Sequence, residues 1–202
     1  MKAGQARLSL VLLASFLAGA AAKTAGGFAS TLRPSLALQL VLLLFVFSVS
    51  VEMGSRVDLV GAGKLLREAV RLSVSTVLGS AAGGVAAALL FGLGLRLSLA
   101  AALGMGWYSF DAPTMASYAG APAGSLGFFS NFFRELLMLL LYPLAARVLG
   151  RGRSLVLGGA TTMDTTLPVV RGAADPDTVT LAFAHGALVS VMVPVLVSLA
   201  LA

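Results

Sequence analysis

The sequence predicts an all-α integral membrane protein with about five transmembrane helices and two interrupted or re-entrant helical segments. The composition predicts the membrane class: of 202 residues, 58% are hydrophobic and only 11% are charged. Soluble domains average about 45–50% apolar and about 25% charged residues. The mean hydropathy of +0.98 comes from apolar runs of membrane-spanning length. The length indicates one domain, 1–202, so any functional site is expected among the helices.

Five apolar runs have the length and continuity of membrane spans. They cover residues 8–22, 35–53, 70–95, 124–146 and 178–202. The first run also resembles a secretory signal peptide, because Lys2 and Arg7 precede its apolar stretch and alanines follow it. Whether residues 1–22 are cleaved therefore stays open.

Two further segments, 97–121 and 154–174, are interrupted near their middles by Gly, Pro and polar residues. Asp111 and Asp164 lie close to the two centres. Such residues are tolerated at that depth only where the backbone is buried in protein or lines a wet cavity. Half of each segment is a helix of about 10–12 residues and roughly 15–18 Å, which is half of a bilayer core. Either segment could be a re-entrant hairpin or a broken span.

The distribution of Lys and Arg favours hairpins. With the N-terminus inside and both interrupted segments returning to their side of entry, ten Lys and Arg residues lie inside and three outside. If both segments cross, the split is seven to six, so the positive-inside rule prefers hairpins. The C-terminus is then outside, and the interrupted segments follow spans of opposite direction. This pattern is typical of an inverted-repeat transporter, although two unrelated Gly-rich helices would also produce it.

The remaining composition excludes several kinds of site. The chain has no Cys, so disulfides and thiolate metal sites are excluded, and we predict no metal and no cofactor. The net charge of +6 arises in short loops between apolar runs, where it reports membrane orientation. We therefore expect the lipid bilayer, and no nucleic acid, as a partner.

Glu135 is the strongest single indication of a site. It lies near the middle of the span 124–146, where a charged side chain costs about 2.5–3.5 kcal/mol on insertion scales. The adjacent Arg134 points about 100° away on a helix, so each residue is expected to face a different partner. Asn131 lies one turn before Glu135 and can hydrogen-bond to it. A purely structural Arg and Glu within the bundle is the alternative.

Several polar residues near the interruptions have both a functional and a structural interpretation. Asp111 and Asp164 resemble N-caps that open the second half of a broken helix, where an anionic substrate group could also bind. His185 could carry a proton or serve as a structural hydrogen-bonding group. Trp107 and Tyr108 could stack on a cation or only pack the tip of the first segment.

Taken together, the motifs of the last hundred residues resemble the LysO family of L-lysine exporters in order and spacing. They are Gly106 to Ser109, Phe128 and Phe129 with Asn131, Arg134 to Leu136, Gly159 to Asp164 with Thr166 to Pro168, His185 with Gly186, and Val193 with Pro194.

The resemblance implies export of L-lysine and its toxic analogues from the cytoplasm across the inner membrane. It implies that Glu135 is an essential intramembrane acid and that Asp164 belongs to the site; Thr161 and Thr162, in the same motif, are further candidates. Members of this family have additional N-terminal spans, so a homodimer or a second subunit is expected. Asp111 departs from the family, which has an uncharged stretch at this place.

The resulting hypothesis is a secondary lysine exporter and not an enzyme. Glu135 and Asp164 would bind the side-chain ammonium, and Arg134 or a half-helix N-terminus the carboxylate. Exchange for one incoming proton would remove the cost of moving a positive charge outward, about 2.3 kcal/mol per 100 mV. The alternatives are an intramembrane aspartyl protease that uses Asp111 and Asp164, and a non-transporting subunit of a larger transporter.

Overall fold

The computed structural model describes residues 59–202, together with the helical positions Leu44 and Val51. The predicted spans at 8–22 and 35–53 lie outside the described residues, as do the signal-peptide question and the N-terminal orientation. All regular structure within 59–202 is helical. The prediction of an all-α protein is confirmed for this part of the chain.

Three helices of the described chain are long and apolar enough to cross a membrane. These are α1 (Leu59–Phe91), α3 (Tyr108–Val148) and α5 (Pro176–Leu201). Their outward faces expose large apolar side chains, which soluble proteins seldom do over contiguous areas. Examples are Leu78, Leu89, Leu140, Val191 and Leu199. Helix length and exposed apolar surface together confirm the membrane class.

The first interrupted segment is a helical hairpin. Helix α2 (Leu95–Leu103) leads to a turn at 104–107, after which the first arm of α3, residues 108–118, runs back. Arg96 Nη1 donates a hydrogen bond of 3.3 Å to the Tyr118 hydroxyl, whereas a continuous helix would hold these residues about 33 Å apart. The segment thus returns to the end at which it entered, and we call residues 95–118 the first hairpin.

Helix α3 then reverses at Gly120, whose φ of +80° is in the region that favours glycine. The second arm of α3, residues 121–148, packs antiparallel on the arm 108–118. A Cβ placed on Gly124 would lie 2.7 Å from Ala116 Cβ, so the absence of a side chain permits this close approach. The arm 121–148, about 42 Å long, is the uninterrupted part of α3.

The second interrupted segment also returns to its end of entry. Two 3₁₀ turns, Arg153–Leu157 and Gly159–Met163, are followed by the short helix α4 (Leu167–Ala173). Arg151 Nη1 and Asp175 Oδ2, which flank the segment, are 3.2 Å apart. We call residues 153–173 the second hairpin.

The second hairpin contains less α-helix than expected. We predicted half-helices of about 10–12 residues, but α4 has 7 residues and the preceding half consists of 3₁₀ turns. Glycine explains the difference, because Gly158 and Gly159 interrupt the helix and Gly159 adopts a φ of +62°.

The two hairpins enter from opposite ends of the arm 121–148, and their tips meet midway along it. The arm begins beside the open end of the first hairpin and ends beside that of the second. At the tips, the Ala160 amide donates a hydrogen bond of 2.9 Å to the Met105 carbonyl. A core of small and medium apolar residues packs the first hairpin against α5. It includes Ala100, Ala101, Met105, Met115, Val189 and Val193.

The boundaries of two helices differ from those expected: one helix begins eleven residues earlier than predicted, and the other ends differ by one to four residues. The span predicted at 70–95 is the helix Leu59–Phe91, which ends where Gly92 takes a φ of +65°. The span predicted at 178–202 is Pro176–Leu201, which begins after the N-cap Asp175. In both places a residue that favours helix termination or capping fixes the end.

Candidate functional site

Glu135, Asp164 and Tyr108 come together where the hairpin tips meet the arm 121–148. Tyr108 interacts electrostatically with Glu135 and with Asp164, and the two acids interact with each other. Each residue comes from a different element: the first hairpin, the second hairpin and the arm. Glu135 and Asp164, which are 29 positions apart in sequence and which the sequence hypothesis assigned to one ammonium site, therefore lie at one location.

All three side chains of this cluster are half-buried. Tyr108 is held at the start of α3 by an edge-on ring contact with Phe128, with centroids 5.4 Å apart. The described residues form two ion pairs, one within α1 and one at the open end of the second hairpin, and neither acid belongs to them. The cluster thus offers two carboxylates and a phenol, and neither carboxylate belongs to those two ion pairs.

Asp164 follows the 3₁₀ turn Gly159–Met163 and is fixed by its neighbour. Its Oδ1 accepts hydrogen bonds from the Thr165 amide at 2.6 Å and from the Thr165 hydroxyl at 3.3 Å. The expected N-cap position is wrong, because Thr166 occupies the N-cap of α4. The 3₁₀ turn brings the chain to the cluster two residues before the N-cap Thr166, so the carboxylate is directed to the site and not to the helix end.

Asn131 binds the first hairpin and does not bond to Glu135 as we expected. Its Oδ1 accepts a 2.7 Å hydrogen bond from the Gly106 amide, and its Nδ2 donates to Asp111 Oδ2 at 2.7 Å and to the Ala101 carbonyl at 3.1 Å. The side chain is 1% exposed. Sequence spacing does not show that the hairpin tip lies beside Asn131. The side-chain amide of Asn131 therefore bonds to backbone groups of the first hairpin and satisfies them.

Among the described residues, Asp111 is hydrogen-bonded to Asn131 and not to Glu135, Asp164 or Tyr108. It is fully buried, with Oδ2 bound by Asn131 and Oδ1 without a partner among the described residues. It is not the N-cap, since Trp107 has that position and Asp111 stands in the first turn. The structure therefore does not bring Asp111 and Asp164 together.

Arg134 points away from Glu135, as helix geometry requires. Its guanidinium donates to the Ser80 hydroxyl at 2.8 Å and to the carbonyls of Val156 and Leu157 at 2.9 and 3.0 Å. These carbonyls end the first 3₁₀ turn of the second hairpin. The planar fork of arginine matches two adjacent acceptors, so Arg134 fixes the second hairpin against α1 and the arm.

A cavity of about 520 Å³ adjoins Arg134 between α1, α2 and the arm. Its polar lining consists of hydroxyl and amide groups together with the guanidinium. The residues that contribute them include Thr76, Ser80, Ser98, Ser130, Asn131 and Arg134.

His185 connects three elements through both ring nitrogens. Nε2 lies 2.9 Å from the Thr76 hydroxyl of α1, and Nδ1 lies 3.1 Å from the Thr162 hydroxyl of the second hairpin. The ring is fully buried. A neutral imidazole has one donor and one acceptor, and two hydroxyls can satisfy both. This geometry agrees with the interpretation of His185 as a structural hydrogen-bonding group, and Thr162 is one of its two partners.

Two other candidates also make local contacts. The Trp107 ring packs on Phe110 at a centroid distance of 5.3 Å. Thr161 donates to the Gly158 carbonyl at 3.0 Å and lies 3.3 Å from the Thr166 hydroxyl. The threonines thus satisfy polar groups of the non-helical backbone.

Thr76 and Ser80 were not among the predicted site residues, and Thr166 was named only as part of the family motif. Thr166 had a signal, because a threonine two residues before Pro168 is typical of an N-cap. Thr76 and Ser80 had none, because their partners His185 and Arg134 are 109 and 54 residues away.

The arrangement can hold a cation. Carboxylates bind ammonium groups through short, charge-assisted hydrogen bonds, and a phenol oxygen can accept a further one. Within residues 59–202, no group of three or more His, Cys, Asp or Glu residues could hold a metal ion. The two carboxylates and the phenol together offer oxygen acceptors for an ammonium group.

Comparison with known proteins agrees with this chemistry. A model of the family described as lysine exporter LysO matches residues 13–201. The lysine exporter LysO of Escherichia coli is 40% identical over 97 residues, which are 47% of this chain and 31% of that protein. A putative lysine exporter of Haemophilus influenzae is 31% identical over 93 residues, 46% of this chain and 47% of that protein.

These alignments leave more than half of either relative uncovered. No solved structure matches the chain. The family model nevertheless extends over nearly the whole sequence, including both hairpins and all three long helices. On this evidence, the chain belongs to the lysine exporter LysO family.

Proposed function

We propose that this chain exports L-lysine, or a closely related cationic amino acid, with Glu135 and Asp164 binding the side-chain ammonium. The main support for the proposal is that these two acids and Tyr108 interact where the tips of two opposed hairpins meet. The names of the two relatives support an amino-acid exporter. Interrupted helices that meet at mid-membrane are where transporters of inverted-repeat architecture bind their substrates.

Electrostatics supports a cationic substrate. Two half-buried carboxylates repel each other, and a bound ammonium relieves the repulsion and replaces water as their partner. Tyr108 adds a neutral oxygen that can complete the ammonium's three hydrogen bonds. An anionic or purely apolar substrate would leave both carboxylates without compensation.

The substrate carboxylate would bind on the side of Arg134. A guanidinium has five N–H groups, and three donate to Ser80, Val156 and Leu157. The other two, with the hydroxyls of the adjoining cavity, provide donors for an anionic group.

Proton antiport is the coupling that this site favours. Outward movement of one positive charge against an inside-negative potential costs about 2.3 kcal/mol per 100 mV, and exchange for an incoming proton removes that cost. An acid that binds either a proton or an ammonium provides such an exchange, and Glu135 is the proposed residue.

The separation of Asp111 from Asp164 favours a transporter over an intramembrane aspartyl protease. That chemistry needs two Asp side chains close enough to share a proton. Asp111 Oδ2 is hydrogen-bonded to Asn131, whereas Asp164 Oδ1 is hydrogen-bonded to Thr165. The fully buried position of Asp111 also keeps it from a peptide substrate.

The aligned segments cover less than half of the length of either relative. We propose that the protein works as a homodimer or with a second subunit. The proposed location is the inner membrane, as a multi-pass protein with a cytoplasmic N-terminus and an external C-terminus.

Lysine efflux from proteoliposomes tests this function. Purified full-length protein should release internal lysine faster when the pH gradient drives protons inward, and it should acidify the lumen as it does so. Efflux that is indifferent to the gradient would refute antiport. Absence of both efflux and lysine binding by the chain alone would instead favour the non-transporting subunit.

A further inference from the structure

Asp111 is a buried acid that the proposed lysine site does not use. It is 0% exposed, and its surroundings are closed by residues without side chains. A Cβ on Gly104 would lie 2.6 Å from Asp111 Oδ2, and one on Gly127 would lie 3.0 Å from it. The backbone therefore approaches this carboxyl group closely from two sides, at positions where only glycine leaves space for Oδ2.

The groups that face Asp111 carry no charge. The turn of the first hairpin contributes Gly104, and the arm 121–148 contributes Gly127 and Asn131. None of these is titratable. The partner of Asp111 Oδ2 within residues 59–202 is the neutral amide of Asn131, and Asp111 belongs to neither ion pair formed between described residues, so an ionised carboxylate here would have no salt-bridged counter-charge in that part of the chain.

The two carboxyl oxygens differ. Oδ2 accepts the 2.7 Å hydrogen bond from Asn131 Nδ2, as a carbonyl oxygen would, whereas Oδ1 has no partner. Burial of an unpaired ion is far more costly than burial of the neutral acid, and a buried carboxyl group escapes that cost by keeping its proton. The geometry places this proton on Oδ1.

We infer that Asp111 is a proton-binding site, separate from the Glu135 cluster, that stays protonated while the first hairpin is packed. Asn131 connects it to the hairpin tip, because the same amide side chain accepts from Gly106 through Oδ1. Loss of the proton would put a negative charge between Gly104 and Gly127 and force the hairpin away from the arm. Proton release and movement of the tip are thus one event.

Infrared spectroscopy of the full-length protein at neutral pH, without lysine, tests this inference. The carbonyl stretch of a protonated carboxylic acid should be present in the wild type and lost in Asp111→Asn. Glu135→Gln serves as the matched control and should keep the band that Asp111→Asn removes. A wild-type minus Asp111→Asn difference with carboxylate bands in place of the acid band would overturn the inference.

A second measurement needs no variant. When the wild-type acid band disappears on alkaline titration, hydrogen exchange at the tip amides should rise over the same pH interval. Loss of the band without a change in exchange would refute the coupling to the tip. Neither readout involves lysine, so failure of the proposed transport function would leave both results interpretable.

Discussion

The Ala160 amide donates a 2.9 Å hydrogen bond to the carbonyl of Met105, which joins the tips of two hairpins that enter from opposite ends. Met105 has a φ of +46°, unusual for a residue with a side chain, and such a conformation costs about 1–3 kcal/mol. The contact between the tips provides the surroundings that hold it. It also fixes the distance between Tyr108 and Asp164, which follow the two tips in sequence.

Replacement of Gly159 by alanine should separate the tips. Gly159 has a φ of +62°, and an added Cβ would overlap the Met105 carbonyl oxygen. We expect a loss of about 2 kcal/mol or more in stability from backbone conformation and overlap combined, together with loss of lysine efflux. Gly172→Ala is the matched control, because a Cβ there meets nothing within 4 Å. Thermal unfolding of the two variants measures the difference in stability, and equal melting temperatures would contradict the role given to the tip contact.

Asn131→Ala should destabilise the first hairpin. It leaves the Gly106 amide and Asp111 Oδ2 buried without their partner, at about 1–3 kcal/mol for each unsatisfied group. Ser130→Ala, which removes only a 3.4 Å contact to the Ala101 carbonyl, should have little effect. Hydrogen exchange at residues 104–107 reports the difference. Unchanged protection in Asn131→Ala would show that the amide does not hold the tip.

Arg134→Lys should impair the second hairpin although it keeps the positive charge. Lysine lacks the planar fork that donates to both Val156 and Leu157. Loss of one charged hydrogen bond costs about 1.5–3 kcal/mol. Arg147→Lys, at an exposed position of the same helix, is the control. A melting temperature of Arg134→Lys equal to that of Arg147→Lys would indicate that charge alone matters here.

Asp175 should make the open end of the second hairpin sensitive to acid. It lies just before the span of α5, and the Thr178 amide, donating to Oδ1 at 2.9 Å, lowers the pKa of Asp175 to about 2. Because this pKa lies below the unfolded value of about 3.9, the stabilisation is complete above pH 4 and disappears as pH falls towards 2.

Asp175→Ala tests this contribution. Removal of an N-cap costs about 1 kcal/mol, so the variant should melt at a lower temperature than wild type at pH 7. The difference should shrink as the pH approaches 2. A difference that is constant between pH 7 and pH 2 would contradict the assignment of Asp175 as an ionised cap.

Much of the fold followed from periodicity and charge. The interruptions near Asp111 and Asp164 indicated where helices break, since clusters of Gly, Pro and carboxylates are tolerated at that depth only where the backbone is buried in protein or lines a wet cavity. The helix ends moved because single glycines such as Gly92 and Gly120 take positive φ values, which composition does not reveal. The 3₁₀ turns of the second hairpin were likewise not predictable, because they depend on Arg134, an element away, for their carbonyl partners.

The acids of the candidate site were predictable from the sequence, but the hydrogen-bond partners of the neighbouring polar residues were not. Glu135 and Asp164 were identifiable because ionisable groups within apolar runs are costly. Asn131 was assigned to the wrong acid, since helix spacing indicates which face a residue occupies but not which distant segment meets that face. His185 was recognised as ambiguous, and only the tertiary contacts with Thr76 and Thr162 provide partners for its ring nitrogens.

Direct binding of L-lysine to the purified protein, measured by titration calorimetry, tests the central claim that Glu135 and Asp164 form the cation site. Loss of one charged hydrogen bond of about 1.5–3 kcal/mol should weaken binding about 10- to 100-fold in Glu135→Gln and in Asp164→Asn. Asp177→Asn, at an exposed acid, should bind like wild type. If folded Glu135→Gln and Asp164→Asn both bind lysine as tightly as the wild type does, the ammonium is bound elsewhere and the account is wrong.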